Sequence, residues 1–254
     1  MTRRRAFRIV TYNVHKCRGL DGRVRPARIA QVLADVHADV VALQEVVSHE
    51  GGAAGDDQAR FLAGELGYYW AMAETRKHHG GAYGNVTLSR WDFDLVRPVD
   101  VSVRGRERRA ALRTDLRFGD DVLHLFNVHL GTGPRERRTQ ARRLMDSDLL
   151  KAVDLHGPRV VFGDFNDWAH GLVTRTLTRE FHLTDLRQHL RRVRSYPGVL
   201  PLVHLDHMYL DPHLRVERAF FLRTRRARLA SDHLPLVADV RWVERPAGGL
   251  HGGA

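Results

Sequence analysis

The sequence predicts an α+β protein in which two packed β-sheets are covered by outer helices. Apolar strand patterns occur on both sides of one long helical pattern, polar residues stand where several strands end, and no linker, repeat or low-complexity tract divides the chain. With 254 residues, 43% hydrophobic and 28% charged, the chain has the composition of a globular protein with one large core. We therefore expect a single domain over residues 1–246 and a disordered tail over 247–254.

The N-terminal half alternates strand and helix patterns. Alternating apolar and polar residues predict a strand at 7–13, and Pro26 opens a helix whose residues Ile29, Leu33 and Val36 share one face. The other elements predicted before residue 130 are a buried strand at 39–43, a short helix near 58–66, and strands at 68–73, 85–89, 110–117 and 122–128.

Pro134 begins the longest helical pattern, which we expect to span residues 134–153. Leu144, Leu149 and Val153 recur at helical spacing and are predicted to face the core. The opposite face, predicted to face solvent, carries Arg135, Arg138, Arg142 and Arg143. The remaining patterns predict a strand at 159–162, a short helical region near 171–190, and strands at 205–210, 216–222 and 236–240.

The apolar runs and the cysteine content indicate the compartment. No apolar run approaches the roughly 20 residues of a membrane-spanning helix, and the first residues lead into a strand pattern without an apolar signal region. Cys17 is the only cysteine, so the chain has no internal disulfide. We expect a cytoplasmic monomer without a transmembrane segment.

The chain is strongly basic, with a formal net charge of +11 and 41 lysines and arginines against 30 acidic residues. Only Lys16, Lys77 and Lys151 are lysines, so arginine carries nearly all of the positive charge. A basic surface attracts polyanions such as nucleic acid or anionic lipid headgroups, whereas a preference for arginine is also typical of a GC-rich genome. Both explanations stay open at this point.

Acidic, asparagine and histidine residues recur where apolar strand patterns end. The segments are TYNVH at 11–15, LQE at 43–45, NVHL at 127–130, GDFND at 163–167, LDH at 205–207 and SDH at 231–233. Each segment alone is more typical of a turn or a helix cap. Their oxygen atoms are the hard ligands that suit Mg²⁺ or Mn²⁺, so together the six segments predict convergence on one pocket.

Other chemistries find little support in the sequence. The chain has 16 histidines but no H-E-x-x-H or paired-cysteine spacing for zinc. Ser231 precedes an Asp-His pair, but the Gly-x-Ser-x-Gly turn of serine hydrolases is absent. Neither a P-loop nor a Rossmann fingerprint occurs, which argues against a nucleotide cofactor.

The ordered motifs TYNVH, LQEV, GNVTLSR, NVHL, GDFN, LDHMYL and SDHLP closely resemble those of the endonuclease/exonuclease/phosphatase superfamily, which includes the pancreatic-type deoxyribonucleases. The resemblance extends over residues 7–240. Within it, the segment RSYPGVLPLVHLDHMYL resembles a bacterial subgroup whose members often have no settled substrate. The resemblance to the superfamily implies a four-layered α/β sandwich, in which helices flank two packed mixed sheets as in DNase I.

The resemblance also implies a metal site. Glu45 is expected to be the principal carboxylate for Mg²⁺ or Mn²⁺, with Asn13 lining the same metal and phosphate site and Asp232 as a further ligand on the metal side. These side chains offer only oxygen atoms, which is consistent with a hard divalent cation. No other cofactor is expected.

The catalytic roles implied by the resemblance fall on five residues. Asp164 is expected to orient or deprotonate the attacking water, and Asn166 to hold the water and the phosphate. His233 is expected to contact the scissile phosphate, with Asp206 orienting its ring from about 2.6 to 3.2 Å. His129 occupies the position of a second catalytic histidine near the leaving group.

The expected function is that of a divalent-metal-dependent phosphoesterase, a hydrolase of the nuclease, phosphodiesterase or phosphatase type. Its substrate would be a phosphodiester or phosphomonoester, with nucleic acid, a phospholipid headgroup and a phosphorylated metabolite all open. The alternative is a non-catalytic phosphate- or nucleic-acid-binding module on the same fold. Lys16 and the pair Arg108 and Arg109 lie near segments that bracket a phosphate, although arginine pairs are more often solvated.

Overall fold

Two six-stranded mixed sheets form the centre of the structure, a computed structural model that describes residues 6–53, 55–145, 149–167 and 171–243. The strand order is β11-β12-β1-β2-β4-β3 in the first sheet and β5-β6-β7-β8-β10-β9 in the second. The first-sheet strands are β1 (Ala6–Asn13), β2 (Val40–Ser48), β3 (Tyr69–His78), β4 (Gly81–Ser89), β11 (Leu214–Phe221) and β12 (Leu236–Trp242). The second-sheet strands are β5 (Leu95–Asp100), β6 (Ala110–Phe118), β7 (Asp121–His129), β8 (Arg159–Asp164), β9 (Thr184–Asp185) and β10 (Asp206–Leu210).

Helices cover the outer face of each sheet. The α-helices are α1 (Pro26–Val36), α2 (Gln58–Leu66), α3 (Pro134–Leu144), α4 (Leu172–Arg179) and α5 (Arg225–Ala230). Helices α1, α2 and α5 pack on the first sheet, and α3 and α4 pack on the second. The four-layered α/β sandwich that the motifs implied is therefore confirmed.

Alternation along the strands sends successive side chains into different layers. In β1, Ile9 lies in the core between the sheets together with Phe162 of β8, whereas Val10 lies in the outer core with Ile29 and Leu33 of α1. Because side chains alternate across a strand, both faces of these central strands are apolar and buried. Polar side chains are thereby concentrated at the strand ends.

The long helix is shorter than the sequence pattern predicts. Helix α3 ends at Leu144, so the prediction of a helix over 134–153 is wrong. Leu149 is buried, as expected, but it lies outside the helix, and Val153 is 94% exposed rather than inward. Residues 149–151 form turns rather than helix, and residues 146–148 lie outside the described part of the chain.

Strands β5 and β9 and helix α5 were not predicted, with β9 lying inside the region near 171–190 that was expected to be helical. Strand β5 and helix α5 are too short and too polar to give a clear periodic signal. The predicted tail at 247–254 and the end of the predicted domain lie outside the described residues. Among the described helices, none combines the length and the apolar character needed to cross a membrane.

Arg113 of β6 is fully buried and should contribute strongly to stability. Its guanidinium donates to both carboxylate oxygens of Asp115, at 3.1 and 2.7 Å, and to Asp154 at 2.9 and 3.0 Å. Arg113→Met leaves the buried Asp115 carboxylate without this partner, so we expect the free energy of unfolding to fall by about 3 kcal/mol or more. Urea denaturation followed by circular dichroism measures the loss.

Arg117 of the same strand supplies the matched control for that variant. It makes a similar two-pronged contact with Asp94, at 2.9 and 2.6 Å, but both side chains are exposed to solvent. Water screens this pair, so Arg117→Met should leave the denaturation midpoint nearly unchanged. If both variants lost the same free energy of unfolding, burial would not explain the contribution of Arg113.

Candidate active site

The sheet topology brings the predicted site residues to one end of the sandwich. Asp164, the last residue of β8, pairs in register with His129 at the end of β7 and with Asp206 at the start of β10. Asn13 ends β1, and Glu45 lies in the neighbouring parallel strand β2 of the other sheet. The polar ends of strands from both sheets therefore meet.

Gly163 allows β8 to approach β7 closely just before Asp164. Its φ is +148°, and a Cβ atom at this position would lie 1.8 Å from the carbonyl oxygen of Val128. Any other residue would have to push the two strands apart. The glycine of the GDFN motif thus allows Asp164, the residue that follows it, to lie next to the end of β7.

Two buried amides connect the sheets beside the site. Nε2 of Gln44, the residue before Glu45, donates to Oδ1 of Asn127 at 2.8 Å. Nδ2 of Asn127, two residues before His129, donates to the carbonyl oxygens of Leu43 and Val86. Because such buried amides are costly to leave unpaired, the network holds β2 against β7 in one register. These residues of the LQE and NVHL motifs are therefore structural partners of the predicted site residues.

Several non-glycine residues at the site have a left-handed backbone. Glu45 has φ +59° within an irregularity of the pairing between β2 and β4, and Asn166 has φ +49°. His15, Lys16 and Cys17 also have positive φ, from +46° to +57°. This conformation is uncommon for residues with a Cβ atom, and its concentration in one place is typical of functional sites.

Asn13 bridges two of the carboxylates. Its Nδ2 donates to Oε1 of Glu45 at 3.3 Å and to Oδ2 of Asp164 at 3.0 Å, while its Oδ1 accepts from the backbone N–H of His15 at 3.0 Å. The amide therefore presents a donor, not an oxygen ligand, to the carboxylates. Its place in a metal and phosphate site stays a prediction.

Asp164 lies between two histidines. Oδ2 of Asp164 is 3.5 Å from Nε2 of His129 and 3.7 Å from Nε2 of His233. Its Oδ1 accepts from the backbone N–H of Asn166 at 2.9 Å, and the Asn166 side chain donates to the carbonyl oxygen of Leu130 at 2.9 Å. The carboxylate is held in place, while both histidine nitrogens remain beyond direct hydrogen-bond distance from it.

The structure places Asp206 and His233 in direct contact. Nδ1 of His233 lies 2.9 Å from Oδ2 and 3.1 Å from Oδ1 of Asp206, within the expected range. Ser195 also donates to Oδ2 of Asp206, at 2.6 Å. Burial acts to lower the pKa of His233, but the carboxylates of Asp206 and Asp164 outweigh burial and raise this pKa to about 10. His233 is therefore protonated at neutral pH.

The second histidine has the opposite protonation state. Burial, together with the charge of Arg109, lowers the pKa of His129 to about 4 despite the nearby carboxylates of Asp164 and Glu45. Two imidazoles thus flank Asp164, one protonated and one neutral at pH 7. Of the arginine pair noted in the sequence, Arg109 is buried and affects the site, whereas Arg108 is exposed as expected.

The carboxylate of Glu45 is ionised. Burial acts to raise its pKa, but the charges of His129 and Lys16 and hydrogen bonds from Asn13 and Lys16 outweigh burial and lower the pKa to about 2. His129 is itself protonated in that acidic range, which is why its charge acts on Glu45 there. Nζ of Lys16 lies 3.2 Å from Oε2 of Glu45.

Asp232 belongs to the same end of the sandwich but contacts a different group of residues. Its Oδ1 lies 3.3 Å from Nδ1 of His15 and accepts from Oγ of Ser231 at 3.3 Å. Ser231 in turn donates to the carbonyl oxygen of Asn13 at 2.8 Å. Within the described ranges, Asp232 makes no ion pair or hydrogen bond with Glu45, so its expected role beside that carboxylate stays a prediction.

One group of side chains has the spacing of a metal site. The ligand atoms of Asp164, Asp206 and His233 all lie within 4.8 Å of one another. An imidazolium has no free lone pair, so the protonated His233 is a hydrogen-bond donor rather than a ligand in this arrangement. Burial raises the pKa of the Cys17 thiol, which keeps it from acting as a thiolate ligand. The candidate ligand atoms that remain are the carboxylate oxygens and the nitrogen of the neutral His129 imidazole.

Sequence reasoning missed several residues of the site. Ser195 and Ser231 bond to predicted site residues, and the ring of Tyr196 lies 4.9 Å from that of His233. The carboxylate of Glu45 also raises the pKa of the buried Tyr83, although burial contributes most. Ser231 lies within the SDH motif, and Ser195 and Tyr196 lie within the segment RSYPGVLPLVHLDHMYL, but the sequence assigned no site role to any of them. Tyr83 carried no local signal.

The fold and the site define a class of protein in which carboxylates and histidines from two packed sheets lie together at one end of the sandwich. Residues 10–233 match the model of the Endonuclease/Exonuclease/phosphatase family, and the chain belongs to this family. Members of the family are hydrolases that act on phosphate esters, and they are generally dependent on divalent metals.

One curated protein and two solved structures are similar to the chain over most of its length. The uncharacterized protein YbhP of Escherichia coli (strain K12) is 30% identical over 252 residues, covering 94% of this chain and 98% of YbhP. An endonuclease/exonuclease/phosphatase from Beutenbergia cavernae is 25% identical with a TM-score of 0.73, covering 96% of this chain and 74% of that one. A family protein from Bacteroides thetaiotaomicron has a TM-score of 0.81 at 17% identity, covering 99% and 100% of the two chains, and shows the same fold.

Proposed function

We propose that the protein is a divalent-metal-dependent phosphoesterase in which water attacks the phosphorus atom. The observation that carries the proposal is the position of Asp164 between a protonated and a neutral histidine, with the ionised Glu45 linked to it through Asn13. This arrangement combines a base, a cationic donor and a metal-binding carboxylate in one cleft.

Asp164 is the proposed base for the attacking water. Its two oxygens accept hydrogen bonds from the Asn166 backbone and the Asn13 side chain, so the carboxylate is oriented before substrate binds. A fixed carboxylate lowers the cost of placing the water in line with the bond that breaks. As the new P–O bond forms, the proton of the water moves to Asp164 and the ester P–O bond on the opposite side breaks. The oxygen of the leaving group departs with the bonding electron pair and takes up a proton from solvent water.

His233 is the proposed donor to a non-bridging phosphoryl oxygen. Asp206 holds its Nδ1, and the opposite nitrogen, Nε2, faces Asp164 from 3.7 Å, which leaves room for another acceptor. Negative charge grows on the phosphoryl oxygens in the transition state, so a buried cationic donor is stronger there than in the ground state. His129 is neutral at pH 7 and supports the water or the leaving group as a neutral hydrogen-bonding group.

The donor set fits Mg²⁺ or Mn²⁺. Glu45 is ionised and partly accessible, and the surrounding ligand candidates offer oxygen rather than sulfur. Glu45 would hold the ion, with Asp232 as the further carboxylate proposed on the metal side. When bound, the cation would polarise a phosphoryl oxygen and neutralise its developing charge.

Metal removal tests the proposal. We expect hydrolysis of bis-p-nitrophenyl phosphate or p-nitrophenyl phosphate in the presence of Mg²⁺ or Mn²⁺, and loss of at least about 99% of the rate in EDTA, because an uncompensated transition-state charge costs several kcal/mol. The panel also contains plasmid, abasic duplex, single strands, sphingomyelin and phosphatidylinositol phosphates. Calorimetric titration with Mg²⁺ gives a readout that does not depend on turnover.

Two variants make the outcome decisive. Asp164→Asn should lower the metal-dependent rate by about 100-fold or more. Asp35→Asn changes an exposed aspartate paired with Arg226 and should leave the rate intact. Turnover that is undiminished in EDTA would refute the mechanism. Saturable phosphate binding without turnover of any substrate would support the non-catalytic binding module instead.

We further propose that the protein acts as a cytoplasmic monomer. The six motifs that supply the candidate site residues all lie on this one chain, which supports a site that is complete in the monomer. Light scattering on the purified protein at assay concentration should give the mass of one chain, 29.0 kDa. A dimer that is required for activity would contradict this part of the proposal.

A further inference from the structure

A loop beside the site exposes three aliphatic side chains. We name residues 196–203, with the sequence YPGVLPLV, the rim loop. Its side chains Val199, Leu200 and Leu202 are 57%, 66% and 55% exposed. A water-soluble surface seldom concentrates three large aliphatic groups within four residues unless they meet a partner.

The rim loop is ordered by its own backbone. The N–H groups of Leu202 and Val203 donate to the carbonyl oxygen of Tyr196, and the N–H of Tyr196 donates to that of Val203. The exposed side chains take no part in these bonds. The loop is therefore held in place while its apolar tip faces outward, which reduces the entropy lost when the tip binds a partner.

The loop also adjoins the catalytic cleft. The N–H of Gly198 donates to the carbonyl oxygen of Asp232 at 2.6 Å, and the ring of Tyr196 lies 4.9 Å from the ring of His233. A surface that receives the loop tip would therefore lie at the mouth of the site.

Four arginines lie near the backbone of Arg194, which precedes the rim loop by two residues. We name Arg192, Arg194, Arg223 and Arg228 the arginine cluster. Arg223 donates to the carbonyl oxygen of Arg194 at 2.7 Å, and burial together with the charges of Arg192 and Arg228 lowers the pKa of Arg223. In the described part of the chain, none of the four forms an ion pair with a carboxylate. Like charges held together in this way are relieved by an external anion.

We propose that the rim loop and the arginine cluster dock the protein on an anionic membrane surface. Aliphatic side chains next to cationic groups match a bilayer interface, where apolar groups enter the acyl boundary and arginines meet phosphate headgroups. Single-stranded nucleic acid fits less well, because stacking on bases requires aromatic side chains and the tip has only Val and Leu. The docking itself does not depend on catalysis. The further statement that docking brings a lipid phosphate to the site rests on the proposed phosphoesterase function.

Vesicle sedimentation tests the docking without metal or turnover. The full chain should sediment with phosphatidylcholine vesicles that contain phosphatidylglycerol, bind pure phosphatidylcholine vesicles weakly, and be released by added salt. The combined variant Val199→Ser, Leu200→Ser and Leu202→Ser should lose at least about tenfold in partitioning, because three apolar side chains no longer leave water. Arg192→Gln with Arg194→Gln should lose the preference for the anionic lipid.

Matched controls come from elsewhere on the surface. Val153→Ser changes a valine that is 94% exposed, and Arg135→Gln with Arg138→Gln changes exposed arginines of α3, so both variants should bind vesicles like the unaltered protein. The triple serine variant should keep its melting temperature and its rate on p-nitrophenyl substrates, which separates docking from catalysis.

Three outcomes would overturn the docking proposal. The first is no binding of the unaltered protein to anionic vesicles, and the second is equal binding by the triple serine variant. The third is a concentration-dependent dimer in light scattering that the serine substitutions abolish, since the tip would then contact a second copy. Loss of turnover on soluble substrates with intact vesicle binding would count against the phosphoesterase function alone.

Discussion

His233→Ala should lower kcat on any phosphate ester that the protein hydrolyses by about 1000-fold, because it removes a buried cationic donor from the phosphoryl oxygens. Asp206→Asn should cost less, since the ring remains and only its charge partner, 2.9 Å away, is lost. Initial rates at saturating substrate and metal measure both effects. Thermal melting shows whether each variant is folded.

The pH profile separates a charge effect from a purely structural effect at this pair. The carboxylates of Asp206 and Asp164 raise the pKa of His233 to about 10, so the protonated form is present below that pH and is lost as pH rises through it. Asp206→Asn removes one of these charges, and the alkaline decline of the rate should therefore move to lower pH. Ser195→Ala removes a neighbouring hydrogen bond but no charge, and it should leave the profile nearly in place.

Two experimental results would contradict these expectations. If His233→Ala retains a near-normal rate on a metal-dependent substrate, His233 does not contact the phosphate. If Asp206→Asn and Ser195→Ala give the same alkaline profile, the negative charge of Asp206 does not control the histidine. Either result would leave the fold assignment intact and remove the proposed role.

Glu45→Gln and Asp164→Asn should produce different defects. Glu45→Gln removes the ionised carboxylate proposed to hold the cation, so the Mg²⁺ concentration for half-maximal rate should rise by at least about tenfold. Asp164→Asn should lower kcat by about 100-fold or more with nearly the same metal requirement, because it removes the charge that orients and deprotonates the water. Rates over a metal titration and calorimetric Mg²⁺ binding distinguish the two.

Lys16→Met should change the affinity for Mg²⁺ in the opposite direction to Glu45→Gln. Its ammonium group lies 3.2 Å from Oε2 of Glu45, so its removal eliminates a positive charge that competes with the cation. We expect tighter Mg²⁺ binding than in the unaltered protein, in contrast to Glu45→Gln. Equal loss of metal affinity in the Glu45 and Asp164 variants, or no change in Lys16→Met, would show that the metal and water roles are wrongly assigned.

The types and order of most elements follow from local sequence. Alternating apolar residues predicted β1, β6 and β7, and prolines at 26 and 134 marked the starts of α1 and α3. Such signals are reliable because they depend on residues a few positions apart. The end of α3 shows their limit, since apolar residues at helical spacing continued to Val153 while the helix stopped at Leu144.

The candidate residues of the site were recognisable as polar residues at strand ends, and the resemblance of their motifs to a family suggested their roles. Which strand ends meet was not visible, because sheet order depends on pairings between distant segments. Asp164 pairs with Asp206 across 42 positions of the chain, and Gln44 joins Asn127 across 83. The first contact exists only once the second sheet has formed, and the second exists only once both sheets are packed.

The chemical states of the site also arise only in the folded protein. His129 ends β7 and His233 lies in the connection between α5 and β12, both within polar motifs, yet one is neutral and the other protonated at pH 7. Local sequence determined that imidazoles, carboxylates and amides would be present and where along the chain. The tertiary structure decided their charges, because burial and the distances to Arg109 and Asp206 set each pKa, and both depend on contacts between residues remote in sequence.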